Sequence, residues 1–240
     1  MKNSFNDVHF IALHGNISSP KMWSSWKKRF STSFHALNLW EILRNCSVQE
    51  KGSFLKELEN TIDELSSPEK KTVFVGYSMG GRVLLDFFCQ SATEAPLLLI
   101  SSHWGLSSEL EKEERRNSDT AWATLLDDSV EKFFEKWNSQ KVFDQDNPLN
   151  ELETVFEYRA EMSRAFKMFS LSQQESSFES FPRKSPVLLV SGESDKKFED
   201  LNEKAHAQLE KSLLYKRKSM GHRCFEWNLE FEEVLERFLE

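Results

Sequence analysis

Gly76-Tyr77-Ser78-Met79-Gly80-Gly81 sets a serine two residues after one glycine and two before another. A serine hydroxyl is a weak nucleophile and a weak base until a neighbouring imidazole accepts its proton. The G-x-S-x-G spacing has a steric reason. Where a strand turns sharply into a helix, the central residue is held in a strained backbone conformation, and small residues two before and two after it avoid a clash. Ser78 is therefore the candidate reactive group, provided that a strand leads into it and a helix leads away.

The serine needs a histidine, and six are present. His222, in Met220-Gly221-His222 after the last strand-like run, lies where an order of serine, then acid, then histidine would put it. His9 and His35 fall within strand-like runs, His206 sits in a helical stretch, and His14 reads as a structural residue of a turn. His103 precedes the acid and is read as structural or substrate-contacting. The imidazole must be held in one tautomer by a carboxylate, which also stabilises the imidazolium. Ser191-Gly192-Glu193-Ser194-Asp195 offers two acids, and Asp195, the shorter one beyond a Gly turn, is favoured over Glu193. An oxyanion would need two backbone N–H groups. Met79 follows the nucleophile, and Asn16, in Leu13-His14-Gly15-Asn16 after the first strand-like run, is the natural second donor.

These groups must be positioned by a scaffold of alternating elements. Short apolar runs at Val8 to Leu13, Phe34 to Leu39, Thr72 to Val75, Leu97 to Ile100, Val187 to Val190 and Leu213 to Tyr215 alternate with helical stretches. Phe54, Leu55, Leu58, Ile62 and Leu65 recur at helical spacing, and helices are expected over Met79 to Gln90 and Phe225 to Leu239. The pattern predicts a mostly parallel central sheet flanked by helices, and with the serine turn and the order of serine, acid and histidine it resembles the α/β-hydrolase fold. Residues 106–185 contain no strand-like run, yet Trp122, Leu125 and Leu126, then Val130, Phe133, Phe134 and Trp137, then Met162, Phe166 and Phe169 share helical faces. This interval is expected to be a helical cap inserted between strands within one α/β-hydrolase domain spanning 1–240. The stretch from Ser170 to Ser180 is read as a cap loop.

Composition narrows the partners. A net charge of -8 argues against nucleic-acid binding, which needs clustered Lys and Arg over a broad face. Cys46, Cys89 and Cys224 lack metal-ligand spacing and are odd in number, which fits reduced thiols better than a disulfide framework. No stretch is apolar for long enough to span a bilayer, so the expectation is a cytoplasmic protein without membrane insertion. Twenty Phe and seven Trp predict aromatic-rich packing.

Gly76-Tyr77-Ser78-Met79-Gly80-Gly81-Arg82, followed by Ser191-Gly192-Glu193-Ser194-Asp195-Lys196-Lys197-Phe198, resembles the 2-succinyl-6-hydroxy-2,4-cyclohexadiene-1-carboxylate synthases of menaquinone biosynthesis. The likeness extends to Arg115 before Asn117-Ser118-Asp119, then Trp137, then Arg159, which stand in the order of that family's substrate-contacting residues. The resemblance implies a carbon-oxygen lyase that eliminates pyruvate from a small anionic succinyl-cyclohexene carboxylate without a cofactor or metal. Arg82, Arg115, Trp137, Arg159 and Tyr77 would then contact substrate, and Ser78 would relay a proton instead of being acylated. Two features depart from the pattern: Arg223-Cys224-Phe225-Glu226-Trp227-Asn228 follows His222, and Asn16 replaces an apolar residue after His-Gly. A carboxylic-ester or thioester hydrolase using the same triad by acyl transfer is the alternative. A non-catalytic binding protein of the same fold is a third reading.

Overall fold

Alternation at period two sorts the strand residues of this chain onto two buried faces, and the architecture follows from that. In the computed structural model, which describes residues 5–46, 50–176 and 178–240, six strands form one parallel sheet. In chain order they are β1 (Val8–Leu13), β2 (Phe34–Leu37), β3 (Lys71–Tyr77), β4 (Leu97–Ile100), β5 (Val187–Gly192) and β6 (Ser212–Arg217). The spatial order is β2-β1-β3-β4-β5-β6. A parallel sheet needs crossovers, which helices provide. These are α1 (Ser24–Phe30), α2 (Leu39–Asn45), α3 (Lys51–Leu65), α4 (Met79–Ser91) and, after β5, α9 (Lys196–His206). Between β4 and β5 lie α5 (Glu109–Asp128), α6 (Val130–Asn138), α7 (Leu152–Glu157) and α8 (Arg159–Met168), and α10 (Leu229–Leu239) ends the chain.

Phe10, Ala12, Val73, Val75, Leu98, Ile100, Leu188 and Val190 face one way, against α1 and α10. Ile11, Leu13, Phe74, Leu97, Leu99, Val187 and Leu189 face the other, against α2, α3 and α4. The aromatic excess is largely spent on packing. Trp26 is fully buried, with the rings of Phe10, Phe30, Phe34, Trp227 and Phe231 all within 6.1 Å of its own. A second aromatic group, Trp122, Phe133, Trp137 and Phe166, holds α5, α6 and α8 together. The start of α5 is a capping box, Ser108 and Glu111 each accepting from the other's backbone N–H.

Several boundaries differ from the sequence reading, each for a local reason. β2 stops at Leu37 because Asn38 leaves the ladder to cap α2, its side chain accepting from the Trp40 N–H. The last helix begins at Leu229 and not Phe225, because Asn228 caps it at the Phe231 N–H. Phe225 to Trp227 are drawn instead into the α1 cluster, where Trp26 Nε1 donates to the Phe225 carbonyl at 2.7 Å. Within residues 170–180, Leu171–Gln173 form a single 3-10 turn. Among the described residues no helix is long and apolar enough to cross a membrane.

The carboxyl ends of the strands converge at one edge, the region where ligands bind in open α/β sheets. Close backbone contact there depends on glycine. A Cβ on Gly80 would strike the Leu13 and His14 carbonyls, whereas one on Gly52, in α3, would meet nothing within 4 Å. Gly80→Ala is expected to lower stability by about 1–3 kcal/mol as an overpacked contact. Gly52→Ala should raise it by up to about 1 kcal/mol through helix propensity. Urea unfolding midpoints of the two variants test this, and equal shifts would refute it.

Candidate active site

β3 hands the chain to α4 through a single strained residue. Ser78 has φ 50° and ψ −111°, a region that non-glycine residues rarely occupy. Its N–H is fixed to the Ile100 carbonyl of β4 at 2.8 Å. The side chain is thereby lifted above the sheet edge at the positive end of α4.

His222 arrives from the loop after β6, and Asp195 from the loop after β5. The His222 Nδ1–H donates to Asp195 Oδ2 at 2.7 Å, which leaves Nε2 as the acceptor for the Ser78 hydroxyl at 3.4 Å. The second distance is long, as such bonds often are before substrate arrives. Asp195 also caps α9, Oδ1 accepting from the Phe198 N–H, so both carboxylate oxygens are committed. Glu193 is turned outward and accepts from the Ser219 N–H. Three rings enclose the imidazole: Phe198 at 4.6 Å, Tyr77 at 5.6 Å and Phe143 at 5.6 Å between centroids. Tyr77 is buried between His222 and Phe225.

The loop after β1 presses against the nucleophile. A Cβ on Gly15 would lie 2.6 Å from the Tyr77 ring and 3.5 Å from the Ser78 Cβ. Asn16 follows it, and Met79 opens α4 with an N–H that the helix itself cannot use. His14 is fully buried, donating from Nδ1 to the Gly15 carbonyl and accepting at Nε2 from the Leu39 N–H. Burial pushes its pKa down to about 4, so it stays neutral as a brace between β1 and α2.

Beside the triad lies a group of cations. Arg82 points from α4 to the Phe169 carbonyl at 2.5 Å, and Arg115 of α5 pairs through Nε with buried Asp119 at 2.8 Å. Burial, then the charge of Arg115, lowers the Arg82 pKa to about 10. Lys197, at the start of α9, is lowered by burial and by Arg115, with Asp195 pulling the other way. His103, after β4, accepts the Gly105 N–H on Nδ1. Burial, followed by Lys197, Arg82 and Arg115, brings its pKa down to about 3, so it is neutral. Arg115 acts on Arg82, Lys197 and His103 alike, which groups these side chains near one another.

Two further side chains expected at the site separate. Trp137 is half-buried, its ring 6.1 Å from Phe143, and its indole N–H is buried without a hydrogen-bond partner. Arg159 is not brought in. It is exposed at the start of α8, its guanidinium donating to the Asp127 carbonyl at the end of α5, because the apolar face of α8 carries Met162 and Phe166 inward and turns Arg159 out. Phe143 and Asp146, which the sequence reading did not single out, lie against His222 instead. Their segment between α6 and α7 has no periodicity or motif to mark it. Lys197 was visible only as part of the motif after Asp195.

No family model matches the chain. A Haemophilus influenzae protein named for 2-succinyl-6-hydroxy-2,4-cyclohexadiene-1-carboxylate synthase is 28% identical over 210 residues, 81% of this chain and 83% of that protein. The synthase of Klebsiella pneumoniae strain 342 is 38% identical over 71 residues, 29% of this chain and 28% of its own. The structure of MenH from S. aureus superposes with a TM-score of 0.79 at 25% identity, covering 98% of this chain and 93% of that one. This chain is an enzyme of the α/β-hydrolase fold, similar along most of its length to the MenH synthases.

Proposed function

We propose that the chain is a MenH-like lyase that eliminates pyruvate from an anionic succinyl-cyclohexene carboxylate, giving the 2,4-cyclohexadiene product for which its relatives are named. The observation that carries the reading is the cationic group of Arg82, Arg115 and Lys197 beside the Ser78, His222 and Asp195 array. A polyanionic substrate meeting an acidic protein needs local cations, and arginine forks pair bidentately with carboxylates. The helical insertion between β4 and β5 acts as the cap, supplying Arg115 and the unpartnered indole N–H of Trp137.

The product name places a ketone on the ring, so the acidic C–H lies beside the succinyl carbonyl. Ser78 Oγ accepts that proton as its own passes to His222 Nε2, and Asp195 stabilises the imidazolium. The C–H electrons form a ring double bond at the succinyl-bearing carbon, the existing ring double bond shifts one position along the ring, and the allylic C–O bond breaks, which leaves the 2,4-diene. The leaving group departs as the enolate of pyruvate and regains a proton from His222 by way of Ser78. Oxyanion character on the ketone is met by the Asn16 and Met79 N–H groups. No covalent enzyme intermediate is required.

Release of pyruvate from the cyclohexene substrate tests the reaction. Wild-type turnover with complete loss in Ser78→Ala is the expected result. A folded wild-type protein that releases no pyruvate but is rapidly acylated at Ser78 by activated esters would replace this reading with the ester hydrolase.

The two arginines divide cleanly in kinetics. Arg82→Ala should lower kcat/KM at least about 100-fold, roughly 3 kcal/mol, as expected when a desolvated carboxylate loses its partner. Arg159→Ala, an exposed substitution, should leave kcat/KM within about twofold. A large loss in Arg159→Ala would mean that α8 turns inward during catalysis.

A further inference from the structure

The ring of His222 faces the triad, but its main chain is held from outside the sheet. The His222 N–H donates to Asp146 Oδ2 and the Arg223 N–H to Asp146 Oδ1, both at 3.0 Å. One carboxylate thus takes two successive backbone donors, a charge-assisted pair. The His222 carbonyl is bonded by Ser101 Oγ at 2.9 Å. Both polar groups of this residue's backbone therefore end on side chains from other elements, and the backbone has little freedom to rotate.

Asp146 belongs to the segment between α6 and α7, 76 residues before the histidine. The carboxylate fits because residue 221 is glycine: a Cβ there would lie 2.7 Å from Asp146 Oδ1. A turn bond from the Asp146 N–H to the Phe143 carbonyl at 2.9 Å sets its direction. Arg223 strengthens the same junction. Its guanidinium lies 4.0 Å over the Phe143 ring, donates to Asn138 Oδ1 at 3.0 Å and also bonds the Asn147 carbonyl. Phe143 in turn packs on the imidazole.

We propose that Asp146 is a positioning residue for the reaction: it holds the His222 main chain so that the ring spans Asp195 and Ser78, and it makes triad assembly depend on the Asn138–Asn147 segment being seated. The proposal rests on the Ser78, His222 and Asp195 reading. The Nε2 to Oγ separation of 3.4 Å already sits at the outer limit of a hydrogen bond, so a small drift of the loop breaks the proton path. Misplacements of about 1 Å commonly cost about 100-fold in rate.

The test uses full-length D146A, D146N, G221A, S78A and H222A, assayed for pyruvate release and by proton NMR for the downfield Nδ1–H resonance of the His222–Asp195 bond. D146A is expected to lower kcat about 10- to 100-fold with KM within about twofold, since Arg82 and Arg115 are untouched. Its Nδ1–H resonance should broaden or vanish. G221A, whose methyl would meet Asp146 Oδ1 at 2.7 Å, should reproduce both effects, and D146N, which keeps one acceptor, should fall between. These two variants carry the test if D146A does not fold, and the resonance reads positioning even without turnover. Wild-type kcat and resonance in folded D146A, beside inactive S78A and H222A, would overturn the proposal alone. Wild-type turnover by S78A or H222A would overturn the triad and this proposal with it.

Discussion

The turn from β3 into α4 is the constraint on which the rest of the molecule depends. Ser78 adopts a backbone conformation that costs about 1–3 kcal/mol and persists only where its surroundings over-determine it. They do so by removing side chains at the points of contact. Gly76 lies against Gly81, Gly80 against the end of β1, and Gly81 against Ser102 after β4. The opposing force is burial. Val83, Leu84, Leu85, Phe87 and Phe88 of α4 are almost wholly sequestered, and each such side chain contributes about 1.5–3 kcal/mol. Helix packing therefore outweighs the strained residue severalfold, and the strain is borne at one atom-poor junction where β1, β3, β4 and α4 meet.

The same economy appears at the acid. Asp195 closes the first turn of α9 and receives the imidazole N–H, so a single short carboxylate satisfies a helix end and orients the base. Glutamate is a poor N-cap, which is a physical reason for aspartate here and for Glu193 facing outward. The aromatic rings around His222 limit its rotation as well as its access to water. Orientation from Asp195 on one side and main-chain restraint from Ser101 and Asp146 on the other are complementary, because the carboxylate fixes the ring's azimuth and the loop contacts fix its height.

How much of this was legible in the sequence depended on the range of the signal. The serine turn and the alternation of strands with helices are local patterns, and the structure has Ser78 between β3 and α4 and the six strands in one parallel sheet. The helical nature of the β4–β5 insertion was likewise readable from its apolar periodicity. What the insertion touches was not. Arg159 was placed at the site by its order in the chain, but the direction in which α8 turns it is set by Met162 and Phe166 packing on α5 and α6. Asp146 sits in an irregular segment, and its partner is 76 residues away, so nothing local distinguishes it from any surface acid. The start of α10 was misplaced because Phe225 and Trp227 continue an apolar pattern; Asn228 was the available signal, since an asparagine before an apolar run is a strong helix start.

Electrostatics connects the fold to the choice between the two chemistries. A net charge of -8 repels anions only weakly beyond a Debye length, about 8 Å at physiological salt. Within that distance the local charges matter more, and Arg82, Arg115 and Lys197 lie near one another there. Arg82 is desolvated and next to a like charge, and burial followed by Arg115 lowers its pKa to about 10. Asp119 and Asp86 offset part of that burden, and Arg115 is already paired to Asp119. Under the proposed function, a substrate carboxylate would be the further partner of these cations. A neutral ester would leave the cation unpaired while stripping it of water, which is the costlier state. This contrast is the physical ground on which the proposed function favours a multiply charged ligand over a small neutral ester.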